Sequence, residues 1–177
     1  MGSQMQKMSF LFDTGSPWTW VPSIHCPDSQ CQGEHYNYKK STGYRSSEKY
    51  ETVRYGSGAI EGWVVNDDIS ITEDSSTMAK DVNFINVYQA EDLHILESDG
   101  LLGLSPKTYR RGDESQEQIH LLVTEMHKDK VIDQATFAIY LADDRRKSFA
   151  HFGGFDRKIV DEAVKEMESQ GIDTSGA

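Results

Sequence analysis

Long apolar runs are missing from this sequence. No stretch approaches the roughly 18 consecutive apolar residues that a membrane-spanning helix requires. The first residues also lack the charged-then-apolar pattern of a secretory signal. The sequence as given therefore predicts no membrane span and carries no export signal of its own.

Positive charge is scarce as well. The 177 residues contain 18 Lys and Arg against 29 Asp and Glu, so the formal charge is −11 at pH 7. The basic residues form only short runs, such as Arg110-Arg111 and Arg145-Arg146-Lys147. A nucleic-acid backbone is bound by a more continuous basic surface. We therefore expect no nucleic-acid partner.

Cysteine is also rare, with two residues in the chain. Cys26 and Cys31 enclose four residues, with His25 before the pair and His35 after it. Structural zinc sites favour closer cysteine spacing and a second pair of ligands on a helix, so a zinc site is weakly supported. The residues alone leave a zinc site and a small disulfide loop as alternatives. The remaining histidines show no ligand pattern and are expected on the surface.

The sequence does contain many short strand patterns separated by glycine-rich and polar turns. With 37% hydrophobic residues and 14 glycines, it predicts one β-rich globular domain. The predicted strand regions are a strand–loop–strand unit over residues 6–23, a hairpin over 50–71, and single strands over 82–87, 99–104, 137–141 and 149–155.

Two segments have helical periodicity instead. Residues 115–128 place Ile119, Leu122, Val123 and Met126 on one face, with Ser115 as the N-cap. Residues 157–169 show the same pattern, and Gly171 stands where a C-cap is expected. Residues 1–156 contain no convincing linker, so the first candidate domain boundary along the chain is at Asp156.

The residues Asp13-Thr14-Gly15 place a carboxylate at the end of an apolar strand. A glycine in this turn allows the backbone to approach a partner closely, and a carboxylate there can act as a general base for water. The tripeptide alone is a weak signal, because an aspartate at this position can equally cap its own loop.

The surrounding residues closely resemble the pepsin-like aspartic endopeptidases, two-lobed enzymes with one Asp-Thr/Ser-Gly turn in each lobe. The resemblance covers residues 1–156 in the order of the family's N-terminal lobe, and it implies an all-β, pepsin-like single lobe. The matching segments are Phe12–Ser16, Trp20–Ser23, Cys26 with Cys31, Tyr55–Gly58, Asp99–Leu104, Phe137–Leu141 and Gly153–Asp156.

The resemblance implies a catalytic role for Asp13. It would form one half of a pair of aspartates that share a proton, because two carboxylates so close cannot both ionise. One carboxylate takes a proton from water while the other protonates the peptide carbonyl, so the chemistry requires neither metal nor cofactor. Gly15 and Ser16 would border the substrate, while Thr14 and the pair Leu102-Gly103 would support the catalytic turn.

The same resemblance implies a flap and a disulfide. Tyr55, Gly56, Ser57 and Gly58 match a hairpin that closes over bound peptide, and the Tyr55 hydroxyl would contact the indole of Trp20. Without the resemblance, Trp20 and Leu101 would be ordinary core residues; with it, Leu101 forms a wall of the specificity pocket. The resemblance also pairs Cys26 with Cys31, which implies a secretory, lysosome-like or extracellular location.

The sequence departs from the family in having only one complete catalytic turn. Asp173-Thr174-Ser175-Gly176 has its glycine one place late, and no apolar strand precedes it. Met1 to Gln6 align with the family, so Gly2-Ser3 is expected to be native sequence, and both ends of the lobe are expected to be cut. The expected domains are a lobe over 1–156 and an amphipathic helix with a polar tail over 157–177.

Two classes of function follow. In the first, the chain is half of an aspartic endopeptidase, with a peptide or protein substrate, and obtains its second aspartate from a missing lobe or a second copy. In the second, it is a non-catalytic lobe that acts as a structural or binding module.

Overall fold

The computed structural model of the chain describes residues 1–93, 96–105, 121–141, 148–171 and 173–174. The chain divides into two compact units, Met1–Val131 and Ile132–Ala177. Most of the regular structure is β-strand, so the predicted all-β class is confirmed. The predicted domain boundary at residue 156 stays a prediction.

A six-stranded sheet forms the first unit. Its spatial order is β1-β6-β2-β5-β4-β3. The strands are β1 (Phe10–Asp13), β2 (Trp20–Pro22), β3 (Arg45–Tyr55), β4 (Gly58–Ser70), β5 (Met78–Glu91) and β6 (Gly100–Gly103). The unit also contains 3₁₀ turns at Tyr38–Lys40 and Ser75–Thr77, and a helix α1 at Leu122–Lys128.

Two kinds of pairing build this sheet. Strands β3, β4 and β5 form an antiparallel meander, and the predicted hairpin over 50–71 lies within it. Strand β1 pairs in parallel with β6, and β2 pairs in parallel with β5. Strand β6 also pairs antiparallel with β2. The short strands β6 and β2 therefore connect β1 to the meander. The predicted catalytic turn leaves the sheet at the end of β1.

The core of the first unit is formed largely by the long strands of this sheet. In β4 seven of the thirteen residues are buried and only Trp63 is exposed, and in β5 four consecutive residues, Phe84–Val87, are buried. One hydrophobic cluster of this core lies near the predicted site. The cluster comprises Trp20, Cys26, Cys31, Ile60, Val64, Ile85, Val87, Ala90 and Leu101. It includes residues from β2, β4, β5, β6 and the cysteine loop, so this core fixes the elements around the predicted site.

The second unit contains a hairpin and a helix. Strands β7 (Phe137–Tyr140) and β8 (Phe149–Phe152) lie within two of the predicted strand regions, and they pair antiparallel. Helix α2 spans Arg157–Ser169, which confirms the second predicted helix. Asp156 accepts a hydrogen bond from the Lys158 amide at 2.9 Å, and Gly171 follows the helix with a positive φ of 78°.

The first predicted helix is described only in part. Helix α1 begins at Leu122 and ends at Lys128, its predicted last residue. The predicted N-cap Ser115 and residue Ile119 lie outside the described residues. Within the part of the chain that the structure covers, neither α-helix is long and apolar enough to cross a bilayer.

Candidate active site

Asp13 is the last residue of β1, and its carboxylate shapes the turn that follows. Its Oδ1 accepts a hydrogen bond from the Gly15 amide at 2.8 Å, the geometry in which an aspartate caps its own loop. A Cβ on Gly15 would lie 3.2 Å from the same oxygen. Asp13 is only half-buried and Thr14 is exposed. The turn therefore fixes one carboxylate oxygen while the group stays accessible to water.

Strand β6 supports this turn from the adjacent position in the sheet. The Leu104 amide donates to the Asp13 carbonyl at 2.8 Å, and the Ser105 amide donates to the Ser16 carbonyl at 3.1 Å. A Cβ on Gly103 would lie 2.5 Å from the carbonyl carbon of Trp18. Only glycine can occupy this point, because the two backbones are in contact there.

Sequence reasoning missed Thr19. This buried residue accepts a hydrogen bond from the Gly103 amide through its Oγ1 at 3.1 Å. Its own carbonyl accepts from the Ile85 amide at 2.9 Å. Thr19 thus joins β6 to β5 at the base of the turn. The two hydrogen bonds span long sequence separations, so no local pattern could have revealed them.

The predicted flap is the turn between β3 and β4. Tyr55 ends β3, Gly56 and Ser57 form the exposed turn, and Gly58 begins β4. The Tyr55 hydroxyl accepts a hydrogen bond from Trp20 Nε1 at 3.0 Å. Trp20 is only 2% exposed, so this contact satisfies an indole N–H that has little access to water.

Burial raises the pKa of the Tyr55 hydroxyl above its ordinary value. Hydrogen bonds with Ser16 and Trp20 oppose this shift, and the negative charge of Asp13 adds to it. The phenol therefore stays protonated throughout the acidic and neutral range. These interactions also connect the flap residue to the turn: Ser16 bonds to the hydroxyl, and Asp13 is close enough to act on it electrostatically.

Buried apolar residues pack against Val53 and Tyr55 of the predicted flap hairpin. Leu101 is 5% exposed and lies opposite Trp20 across the β2–β6 pair. Leu102 is buried as well. The residues packed around the core cluster that keep some exposure are Trp18, Val53, Tyr55, Leu93 and Leu96. These partly exposed side chains offer accessible apolar surface, whereas Leu101 belongs to the buried cluster that they pack against. Its role as a pocket wall stays a prediction.

Cys26 and Cys31 are bonded to each other, so the disulfide implied by the resemblance is present. The zinc alternative is wrong for these cysteines, because their sulfurs are occupied by the disulfide. Among the described residues, no group of three His, Cys, Asp or Glu side chains is arranged to hold a metal ion. His25 stacks on Tyr88, and His35 Nε2 lies 3.8 Å from the Asp28 carboxylate.

The second Asp-Thr sequence lies beyond α2 in the other unit. Thr174 donates through Oγ1 to the Glu168 carboxylate at 2.9 Å. This contact connects Asp173-Thr174 to the last part of the helix. Residues 175–177 lie outside the described part of the chain.

A model of the eukaryotic aspartyl protease family matches residues 1–170 of the chain. The chain belongs to this family. Plasmepsin IV of Plasmodium falciparum is 33% identical over 162 residues, which cover 88% of this chain and 34% of that protein. Pregnancy-associated glycoprotein 2 of Sus scrofa is 31% identical over 162 residues, covering 89% and 37%.

A plant relative shows the same family likeness over a shorter stretch. Aspartic proteinase A3 of Arabidopsis thaliana is 35% identical over 117 residues, which cover 64% of this chain and 22% of that protein. The matched region thus spans between 22% and 37% of the length of these curated family members.

Proposed function

We propose that this chain is the N-terminal half of an aspartic endopeptidase, with Asp13 as one of two catalytic carboxylates. One observation carries the proposal. The turn that matches the family's catalytic motif presents a water-accessible carboxylate, and Tyr55 of the candidate flap is hydrogen-bonded to Trp20, the first residue of the strand that follows this turn. A carboxylate beneath a hairpin that can close over peptide is suited to activating water for amide hydrolysis.

The proposed reaction needs two carboxylates that share one proton. The ionised carboxylate takes a proton from water as the water oxygen attacks the scissile carbonyl carbon. The protonated carboxylate gives its proton to the carbonyl oxygen. Collapse of the tetrahedral intermediate breaks the carbon–nitrogen bond, and the carboxyl that took the proton from water gives it to the leaving amine. The other carboxylate takes back a hydroxyl proton as the new carbonyl forms, which restores the shared proton. Asp13 supplies one of these groups, and no covalent enzyme intermediate is formed.

The second carboxylate comes from a second lobe or from a second copy of this chain. In a homodimer, a two-fold axis would place two Asp13 side chains opposite each other. The substrate would be a peptide or protein with apolar residues beside the scissile bond, because the partly exposed side chains on and around the flap hairpin are apolar. The disulfide favours an oxidising secretory, lysosome-like or extracellular location.

Substitution of Asp13 tests the enzymatic proposal. Hydrolysis of a denatured protein is measured at mildly acidic pH, with and without a statine-type inhibitor, alongside the mass of the chain in solution. Asp13→Asn is expected to lower the rate by about 100- to 10,000-fold with folding unchanged. Asp28→Asn is the matched control, because the Asp28 side chain is fully exposed. Full activity in Asp13→Asn would overturn the assignment, and an inert monomer would exclude the homodimer.

The alternative is a non-catalytic lobe that acts as a binding module. It is favoured by the side chains beside Asp13: Leu11 is 50% exposed and Phe12 is 42% exposed, although both belong to a β-strand. Such a surface suits contact with a partner protein. In this alternative, Asp13→Asn leaves partner binding intact, whereas Leu11→Ser weakens it. Partner binding that is lost in Asp13→Asn but kept in Leu11→Ser would count against a purely structural module.

A further inference from the structure

Ser9 and Asp99 are joined by several hydrogen bonds at the start of β1. The backbone amide and Oγ of Ser9 donate to Asp99 Oδ2 at 2.6 and 2.8 Å. The Asp99 amide donates in return to Ser9 Oγ at 3.0 Å, and the Gly100 amide donates to the Ser9 carbonyl at 3.1 Å. We call this arrangement the Ser9–Asp99 clasp. It connects the residue before β1 to the residue before β6.

The clasp also includes the segment that follows the disulfide loop. Asp99 Oδ1, the second carboxylate oxygen, accepts from the Glu34 amide at 2.7 Å. Gly33 has a positive φ of 84°, and a Cβ there would lie 2.2 Å from the same oxygen. The backbone therefore wraps closely around the carboxylate, and one side chain holds three separate segments together.

The clasp acts on a strand of only four residues. Strand β1 pairs in parallel with β6 from Phe10 opposite Gly100 to Asp13 opposite Gly103. A slip of one residue would move the Asp13 carboxylate by about 3.3 Å and turn it to the other face of the sheet. Because only four residues of β1 are paired, the pairing alone fixes the register of β1 against β6 weakly. The clasp fixes the start of the strand, and the hydrogen bond from Leu104 to the Asp13 carbonyl fixes its end.

We propose that Asp99 is a positioning residue for the reaction: through Ser9 it sets the register of β1 and thereby the place of the Asp13 carboxylate. This inference rests on the proposed catalytic role of Asp13. Asp99 itself does not touch the substrate. Its action is mechanical, because it holds the far end of the strand that carries Asp13.

The charge of Asp99 suits this role at acidic pH. Burial raises its pKa, but hydrogen bonds from Ser9 and Glu34, together with the nearby charge of His35, outweigh burial and leave the pKa below its ordinary value of 3.8. Asp28 is the carboxylate that faces His35 from the disulfide loop. A lowered folded-state pKa means that the clasp is fully present above the ordinary value and weakens only as the pH falls through the lowered one.

Hydrogen exchange of the full chain tests the clasp without relying on activity. In Asp99→Asn, we expect the amides of Gly100 and Leu104 to exchange at least about tenfold faster, because an amide nitrogen replaces one acceptor oxygen. Amides of β4, such as Val64 and Val65, are expected to keep their rates. Asp28→Asn makes the same charge change on an exposed side chain and should leave all these rates unchanged. Uniform acceleration across the sheet, or no change at all, would overturn the inference.

Substitutions of Ser9 provide a milder version of the same test. Ser9→Ala removes the two hydrogen bonds of the hydroxyl but keeps the backbone donor, so its effect should be intermediate. Ser9→Thr keeps the hydroxyl and should restore the wild-type rates. The difference in amide exchange rates between wild type and Asp99→Asn should also become smaller as the pH falls below 3.8, the ordinary pKa of an aspartate side chain. If Ser9→Ala and Ser9→Thr changed the exchange rates equally, the result would contradict the clasp.

Kinetics separate this inference from the proposed function. Where cleavage is abolished by Asp13→Asn, we expect Asp99→Asn to lower kcat about tenfold or more while KM stays within about twofold, because the flap lies on other strands. Wild-type kcat in Asp99→Asn, combined with Asp13-dependent cleavage, overturns the positioning role. Local loosening at β1 in a chain without Asp13-dependent cleavage supports the clasp and excludes catalysis by a homodimer of this chain.

Discussion

Tyr36 and Asp67 form a fully buried polar contact in the first unit. The Tyr36 hydroxyl donates to Asp67 Oδ2, and neither residue has measurable exposure. Asp67 Oδ1 accepts from Ser41 Oγ at 2.9 Å and from the Asp68 amide at 2.8 Å. A buried carboxylate is tolerated only when its oxygens find such donors. Each donor is therefore important for stability.

Removal of one donor is expected to be costly. Tyr36→Phe leaves Asp67 Oδ2 without the phenol, and we expect the free energy of unfolding to fall by about 1 to 3 kcal/mol. Urea unfolding at neutral pH measures this change. Tyr50→Phe is the matched control, because Tyr50 is exposed and its contact with Glu61 is long at 3.4 Å; a change below about 0.5 kcal/mol is expected. Equal effects of the two substitutions would show that the buried contact contributes nothing.

The same contact predicts how stability changes at alkaline pH. Burial, then the hydrogen bond and charge of Asp67, raise the pKa of Tyr36 above its ordinary value of 10.0. The folded chain therefore keeps this proton when the unfolded chain loses it, so the contribution is complete below the ordinary value and declines above it. Unfolding measured from about pH 9 to 11 should show a shallower decline in Tyr36→Phe than in wild type. An identical slope would contradict this assignment.

At the scale of elements, the backbone of β6 packs directly against the segment that follows the predicted catalytic turn, and Gly103 lies at the point of contact. A Cβ on Gly103 would meet backbone atoms of Pro17 and Trp18 at 2.5 to 2.7 Å. Backbone atoms cannot move aside as the end of a flexible side chain can, so Gly103→Ala must displace β6 or the turn. We expect a loss of about 1 to 3 kcal/mol of stability, and faster exchange of the Leu104 amide.

Gly56 provides the comparison for Gly103. It lies in the turn between β3 and β4, the predicted flap, and a Cβ there would meet nothing within 4 Å. Gly56→Ala should therefore leave the unfolding free energy within about 0.5 kcal/mol of wild type. Urea unfolding of both variants measures the difference. If the two substitutions lower the unfolding free energy by the same amount, close backbone contact does not explain why glycine occupies position 103.

The elements themselves were largely predictable from the sequence. The strands and glycines around Asp13 follow a local pattern. The β3–β4 hairpin has a glycine-rich turn directly after Tyr55. Strand β5 was predicted only over 82–87 but spans Met78–Glu91, because its polar ends pair with β4 and leave no apolar pattern. The clasp between Ser9 and Asp99 joins residues 90 positions apart. Contacts of that kind depend on the fold and have no local sequence signal.

At the scale of the whole molecule, apolar exposure and negative charge oppose each other. Leu11 and Phe12 are exposed in the first unit, and Leu141 and Phe155 are exposed in the second. Such side chains favour association. The formal charge of −11 opposes it, because like-charged copies repel. The balance between these two forces should therefore depend on pH and salt.

Self-association is expected to increase when the charge is reduced or screened. The formal charge of −11 is the value at pH 7, and the net charge becomes less negative as the pH falls. Sedimentation at about pH 5.5 should therefore give a larger average mass than at about pH 7.5 in low salt. At the higher pH, raising the salt to about 0.3 M should shift the mass in the same direction, because the screening length falls below about 10 Å. Leu11→Ser should reduce the association under both conditions if β1 provides the contact. A mass that responds to pH but not to salt would mean that individual histidines, rather than the overall charge, control the association.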